Sequence, residues 1–165
     1  KKHKTMEKEF FTQGDDGCIY ANKTKLTKEE ADRFVKLENI RDFDEGKYLR
    51  FYNVPKEGAV PLDQIVAKEF NVTTENLYSG SRGIRNNYLP SRQMYIKILR
   101  DNTGLSTTAI GKLVRTKRSP KGLDHSTVIY TCKVVDNDIA TNPKIRDIYD
   151  RINEKIENRE VIMPR

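Results

Sequence analysis

The sequence predicts a mainly α fold: a helical bundle over residues 59–165, preceded by a small α/β appendage over residues 1–58. Three observations carry this. From Val60 onward, apolar residues recur at helical spacing in one segment after another. Those segments open on good capping residues and close on Gly or Asn. Before them, the run "YLRFYNV" (residues 48–54) reads as a strand, and Pro55-Lys56-Glu57-Gly58 breaks it.

In the appendage, residues 1–16 read as a charged, loosely held tail. Cys18-Ile19-Tyr20 reads as a short strand. Thr27-Lys28-Glu29-Glu30 is a capping box, in which hydroxyl and carboxylate each satisfy the other's backbone N–H. It opens a helix over about 28–39 with Ala31, Phe34 and Val35 on one face.

In the bundle, Pro61 suits a first helical position, where its missing N–H costs nothing. Leu62, Ile65, Val66 and Phe70 follow at helical spacing, and residues 71–73 stop that helix. A short helix covers residues 75–78, and "SGSRGIRNN" (79–87) is a loop. Pro90 opens the next helix, with Met94, Tyr95, Ile98 and Leu99 on one side. Gly104 ends it. Ser106 caps a further helix, with Leu105 positioned to staple against Ile110 and Leu113 and Val114 also facing inward. A basic connection runs from Arg115 to Leu123. Asp124 then caps a helix held by Val128, Ile129, Cys132 and Val135. The last helix begins at Asn142-Pro143 and carries the stripe Ile145, Ile148, Tyr149, Ile152 and Ile156.

The composition narrows the function. The chain has 165 residues and a net charge of +7. Between Gly80 and Leu123 stand ten basic residues against one acid, Asp101, a net +9, so the rest sums to −2. A basic region on a near-neutral body fits either a polyanion partner or a solvated surface. No apolar run reaches the roughly 18 residues of a membrane span, and no secretory signal stands at the charged N-terminus. The two cysteines, Cys18 and Cys132, form no metal framework. The expected setting is reduced and cytoplasmic, with Cys132 as core filler. Gly104 to Lys112 looks superficially like a phosphate loop, but six residues separate its glycines and no hydroxyl follows the lysine. No nucleotide, metal or other cofactor is expected.

The helix from about 107, the basic connection and the helix from 125 together propose a helix-turn-helix. In that motif the first turn of the second helix meets base edges in the major groove. His125, Ser126 and Thr127 are the short polar residues such a turn needs. His125 can donate to guanine N7, and the Thr127 methyl can touch a thymine methyl. Asp124 has two readings, a plain helix cap or an acceptor for a cytosine amino group. Lys112, Arg115, Lys117, Arg118, Lys121 and Lys133 are phosphate candidates, which position a protein without reading sequence.

"DHSTVIYTCKVV", with "AIGKL" before it and "SRQMYIKILR" further back, resembles the C-terminal DNA-binding domain of the bacterial replication initiator DnaA. The resemblance runs from about Val60 to about Ile156. It implies a Trp-repressor-like helix-turn-helix and base contacts at Asp124, His125, Ser126 and Thr127. It also implies a minor-groove arginine from the 79–87 loop, here Arg82 or Arg85, and a backbone contact at Arg92 beside Gln93. The sequence departs from the family in two places. Leu89-Pro90-Ser91 replaces the usual Arg-Pro, and "RTKRSPKGL" lengthens the turn by about half a dozen residues.

The expectation is a sequence-preferring duplex-DNA binder without its own ATPase, acting in replication control, transcriptional regulation or a mobile element. Residues 1–58 are a candidate surface for a second copy or a larger partner. Two rivals stand beside it: an RNA-binding or adaptor module, and a nuclease using Asp124 and His125. RNA recognition exposes aromatics for stacking, whereas Tyr88, Tyr95 and Tyr130 are scattered and read mostly as core.

Overall fold

The computed structural model describes residues 11–21, 24–35, 40, 42–52, 54–80 and 87–164. They form two compact units, divided between Lys56 and Glu57.

The first unit is a three-stranded antiparallel sheet with two helices. Strands β1 (Phe11–Gln13), β2 (Ile19–Ala21) and β3 (Thr24–Lys25) lie in that order, with Thr12 opposite Tyr20 and Tyr20 opposite Lys25. The expected tail thus supplies a strand, and Phe11 is buried in the core with Ile19, Leu26, Ala31 and Tyr48. Helix α1 (Lys28–Val35) opens on the expected capping box: Thr27 N donates to Glu30 Oε2 (2.9 Å) and Glu30 N to Thr27 Oγ1 (3.3 Å). Residues 36–39, included in the expected helix, lie outside the described residues.

The expected strand 48–54 is instead helix α2 (Glu45–Phe51). Its aromatic residues favour strands in isolation, but Tyr48 and Tyr52 stand four apart, one above the other on a helix. Their rings pack with centroids 4.9 Å apart. The Tyr48 hydroxyl donates to Asp32, and that of Tyr52 to the Leu26 carbonyl at 3.0 Å. Asp44 starts the helix by accepting from Lys47 N at 3.1 Å.

The second unit is the helical bundle. Strand β4 (Val60–Pro61) leads directly into α3 (Leu62–Glu69), so Pro61 sits at the cap rather than at the first helical position. Asn71, at φ 55°, turns the chain out of α3. Thr73 caps α4 (Thr74–Leu77) by accepting from Asn76 N at 3.1 Å. Helix α5 (Tyr88–Asn102) begins two residues before Pro90. Proline is tolerated there because the first turn's N–H groups have no intrahelical acceptor. Ser106 caps α6 (Thr107–Leu113), Asp124 caps α7 (His125–Thr141) and Asn142 caps α8 (Pro143–Glu157). Strand β5 (Val161–Ile162) pairs in parallel with β4, Val60 opposite Val161.

One core joins all six helices. Its fully buried members include Leu62, Leu77, Met94, Ile98, Ile110 and Ile152. The α8 stripe packs as expected, with Ile148 and Ile152 buried and Ile145, Tyr149 and Ile156 against them. Lys97 of α5 bridges Asp101 (3.0 Å) and Asp136 of α7 (2.7 Å). Burial disfavours its charge, but those two hydrogen bonds outweigh the effect and hold the ammonium above its ordinary range. Among the described residues, no helix is long and apolar enough to cross a membrane.

Candidate nucleic-acid interface

The interface is built on the junction of α6 and α7. Leu123 N donates to the Gly111 carbonyl at 2.8 Å, laying the end of the connecting loop along α6. Gly111 is required for this approach, since a Cβ there would stand 2.1 Å from the Leu123 carbonyl oxygen. Gly122, at φ +102°, presses just as closely, where a Cβ would lie 2.5 Å from the Gly111 oxygen.

The lengthened connection is folded rather than an open arm. Thr116 N donates to the Ser119 carbonyl (3.2 Å), and Ser119 N returns a bond to the Thr116 carbonyl (3.1 Å). Thr116 is buried against Gly80. This leaves Lys117, Arg118 and Lys121 exposed around the turn, with Lys112 and Arg115 exposed beside it. None of the five pairs with a carboxylate among the described residues. Lys97, which belongs to the same basic stretch of sequence, is held by Asp101 and Asp136 instead.

At the mouth of α7, Asp124 Oδ2 accepts from Ser126 N at 3.1 Å. The side-chain and backbone hydrogen bonds of Ser126 hold its carboxyl below the ordinary range. Asp124 Oδ1 also lies 3.3 Å from His125 Nδ1, with the two side chains 66% and 58% exposed. Asp124 therefore caps the helix through Oδ2 while Oδ1 lies beside the exposed imidazole. Ser126 and Thr127 are exposed as well. One turn on, Val128, Thr131 and Val135 are 0, 5 and 3% exposed and fix the helix to the core.

Some expectations need correction. Ile129 does not hold α7 to its scaffold; it is 43% exposed, and the buried Thr131 takes that place. Cys132 is half-buried, packed against the edge of the core, and burial pushes its thiol up. Arg92 is only 6% exposed, and its Nη1 donates to the Leu77 carbonyl at 3.1 Å. That is a bracing position between α5 and the end of α4, not a surface phosphate contact. Burial and the nearby charge of Arg118 both lower its pKa. Lys133 is exposed on α7. Arg82 and Arg85 lie outside the described residues.

Sequence reading missed Tyr130, which is 67% exposed rather than core. Its signal was the i+4 spacing from Ser126, which puts the two on one helical face. Tyr130 and Thr127 border a cleft of about 500 Å³ shared with Gln93, Arg92 and Arg118.

Residues 62–135 match the family model described as the bacterial dnaA protein helix-turn-helix. This segment is similar to that family's helix-turn-helix. Relatives agree with it. The chromosomal replication initiator protein DnaA of Lachnoclostridium phytofermentans is 30% identical over 136 residues, covering 81% of this chain and 26% of that protein. The protein of the same name from Crocosphaera subtropica is 34% identical over 100 residues, covering 58% and 20%. That of Treponema pallidum strain Nichols is 32% identical over 96 residues, covering 57% and 18%. The chain thus spans about a quarter or less of the length of these curated relatives. The DnaA-type segment comprises α3 to the middle of α7, and the exposed tip Asp124–Thr127 lies inside it. It is the part of the chain that matches the helix-turn-helix.

Proposed function

We propose that this chain binds duplex DNA with sequence preference, inserting the first turn of α7 into the major groove, and acts in the control of bacterial DNA replication or of transcription. One observation carries the reading: a bare polar tip, Asp124 to Thr127, stands on a helix anchored in the core by Val128, Thr131 and Val135. Such a tip is anchored by the core beneath it, and all four of its residues are exposed.

Affinity and sequence choice come from different residues. Lys112, Arg115, Lys117, Arg118, Lys121 and Lys133 face the phosphates and set the register. If all six engage, log K falls with log salt at a slope of about −5, from roughly −0.9 per contact. His125, Ser126 and Thr127 choose the bases, with Asp124 beside the imidazole. Arg82 or Arg85 is the candidate for a minor-groove contact. Arg92 braces α5 against the end of α4, beneath the surface. The chain works in the cytoplasm by binding rather than by chemistry and calls on no nucleotide or metal. Residues 1–58 serve a second copy or a larger assembly.

The test is selection of bound sequences from a random duplex pool, with His125→Ala in parallel. The variant is expected to flatten the preference and to keep non-specific binding. Equal weakening on every duplex would remove His125 from base reading.

A further inference from the structure

On the groove-facing helix α7, Ser126, Tyr130 and Lys133 stand at i, i+4 and i+7, so they form one stripe. That stripe lies opposite Val128, Thr131 and Val135, which are buried in the core. It is the outward face of α7 within its own unit, and Tyr130 at its edge borders the cleft shared with Arg92, Gln93 and Arg118. Tyr130 is the bulkiest side chain on it and, at 67%, the most exposed large hydrophobic among the described residues.

Its hydroxyl also differs from those of five of the eight tyrosines. Tyr20, Tyr48, Tyr52, Tyr78 and Tyr149 each direct the phenol at an acceptor within their own unit: Asp16, Asp32, the Leu26 carbonyl, Asp63 and Asp101. Tyr130 makes no hydrogen bond to a described residue. A phenol with no internal partner, on the outward face of this helix, has its donor and acceptor available to a ligand.

We infer that Tyr130 is a specificity-determining residue, reading a base edge beyond those met by the 124–127 turn. This rests on the docking of α7 proposed above. Four residues of helix advance about 6 Å, close to two base-pair steps of roughly 3.4 Å. Tyr130 therefore meets the base pair one or two steps from that of Ser126. Its hydroxyl can donate to a purine N7 or accept from an exocyclic amine. Its ring also limits how deep the second turn of α7 enters the groove, since the residues before it on the tip are short.

The experiment is selection from a random duplex pool, at one salt concentration, by wild type, His125→Ala, Tyr130→Phe and Tyr130→Ala. Position 130 is exposed, so neither substitution there threatens the fold. Both Tyr130 variants are expected to lose roughly 5- to 100-fold discrimination at the same one or two adjacent positions. Preference at the positions lost in His125→Ala stays intact. The assignment is overturned if Tyr130→Phe keeps the wild-type preference throughout, or if either variant weakens every duplex by one common factor. If His125→Ala also leaves the preference unchanged, the docking of α7 is itself wrong, and Tyr130 loses its role with it.

Discussion

Gly111→Ala tests the geometry on which the interface depends. In an ordinary helix the change is favourable by about 1 kcal/mol, because alanine gives up less backbone freedom. Here the new methyl carbon would lie 2.1 Å from the Leu123 carbonyl oxygen and 3.6 Å from Val128 Cγ2. Real contacts of this kind do not fall below 3.0 Å, so the loop end must retreat by about 0.9 Å. That movement strains the Leu123–Gly111 hydrogen bond, worth about 0.5–1.5 kcal/mol, and adds an overpacking cost of about 1–3 kcal/mol. After the propensity gain, a net loss of about 1–3 kcal/mol remains. For a unit of this size, each kcal/mol moves the midpoint by roughly 4–8 °C. Asp124 follows Leu123 directly, so the tip of α7 shifts with the loop. Thermal melting followed by circular dichroism, alongside binding to a selected duplex and to random DNA, checks both effects. The expected result is a lowered midpoint and a loss of preference larger than the loss of non-specific affinity. A midpoint unchanged or raised, with preference intact, would refute the claim that Gly111 sets the angle of α7.

Two further outcomes follow from the charges. Arg118→Ala should reduce the salt slope of binding by about one unit, as expected for one lost phosphate contact; an unchanged slope in a salt titration would take the folded connection out of the interface. Lys97→Met should cost about 1–2 kcal/mol in denaturant unfolding, since it removes a mostly buried ammonium from two partly exposed carboxylates. The Lys97 pKa is raised in the folded state, so its contribution is complete at neutral pH and fades as pH rises past the ordinary value of 10.5. The variant should lose that part of the wild-type alkaline destabilisation, and identical alkaline profiles would show that the bridges contribute nothing.

The bundle was legible because its signals are local and repeat. Ser106, Asp124 and Asn142 announce three helix starts by their own side chains, and the α8 stripe fits one period over its whole length. The tip Asp124–Thr127 was legible for the same reason. The failures lie where tertiary packing decides. A seven-residue aromatic run fits a strand and a helix equally well, and only the contacts of Tyr48 and Tyr52 favour the helix. Ile129 and Tyr130 look apolar enough for the core, but a helix can bury only one side, and Val128, Thr131 and Val135 occupy it. Arg92 looks like a surface cation, yet Leu77 offers a carbonyl that draws it inward. In each case the residue type was permissive and a distant neighbour decided.

Strands β4 and β5 bring residues 60 and 161 side by side. The polypeptide therefore enters and leaves the helical unit at one corner, behind a latch of two residue pairs. Such a unit can be grafted into a surface loop of an unrelated host, or have its ends rejoined and a new opening cut elsewhere, without rethreading any helix.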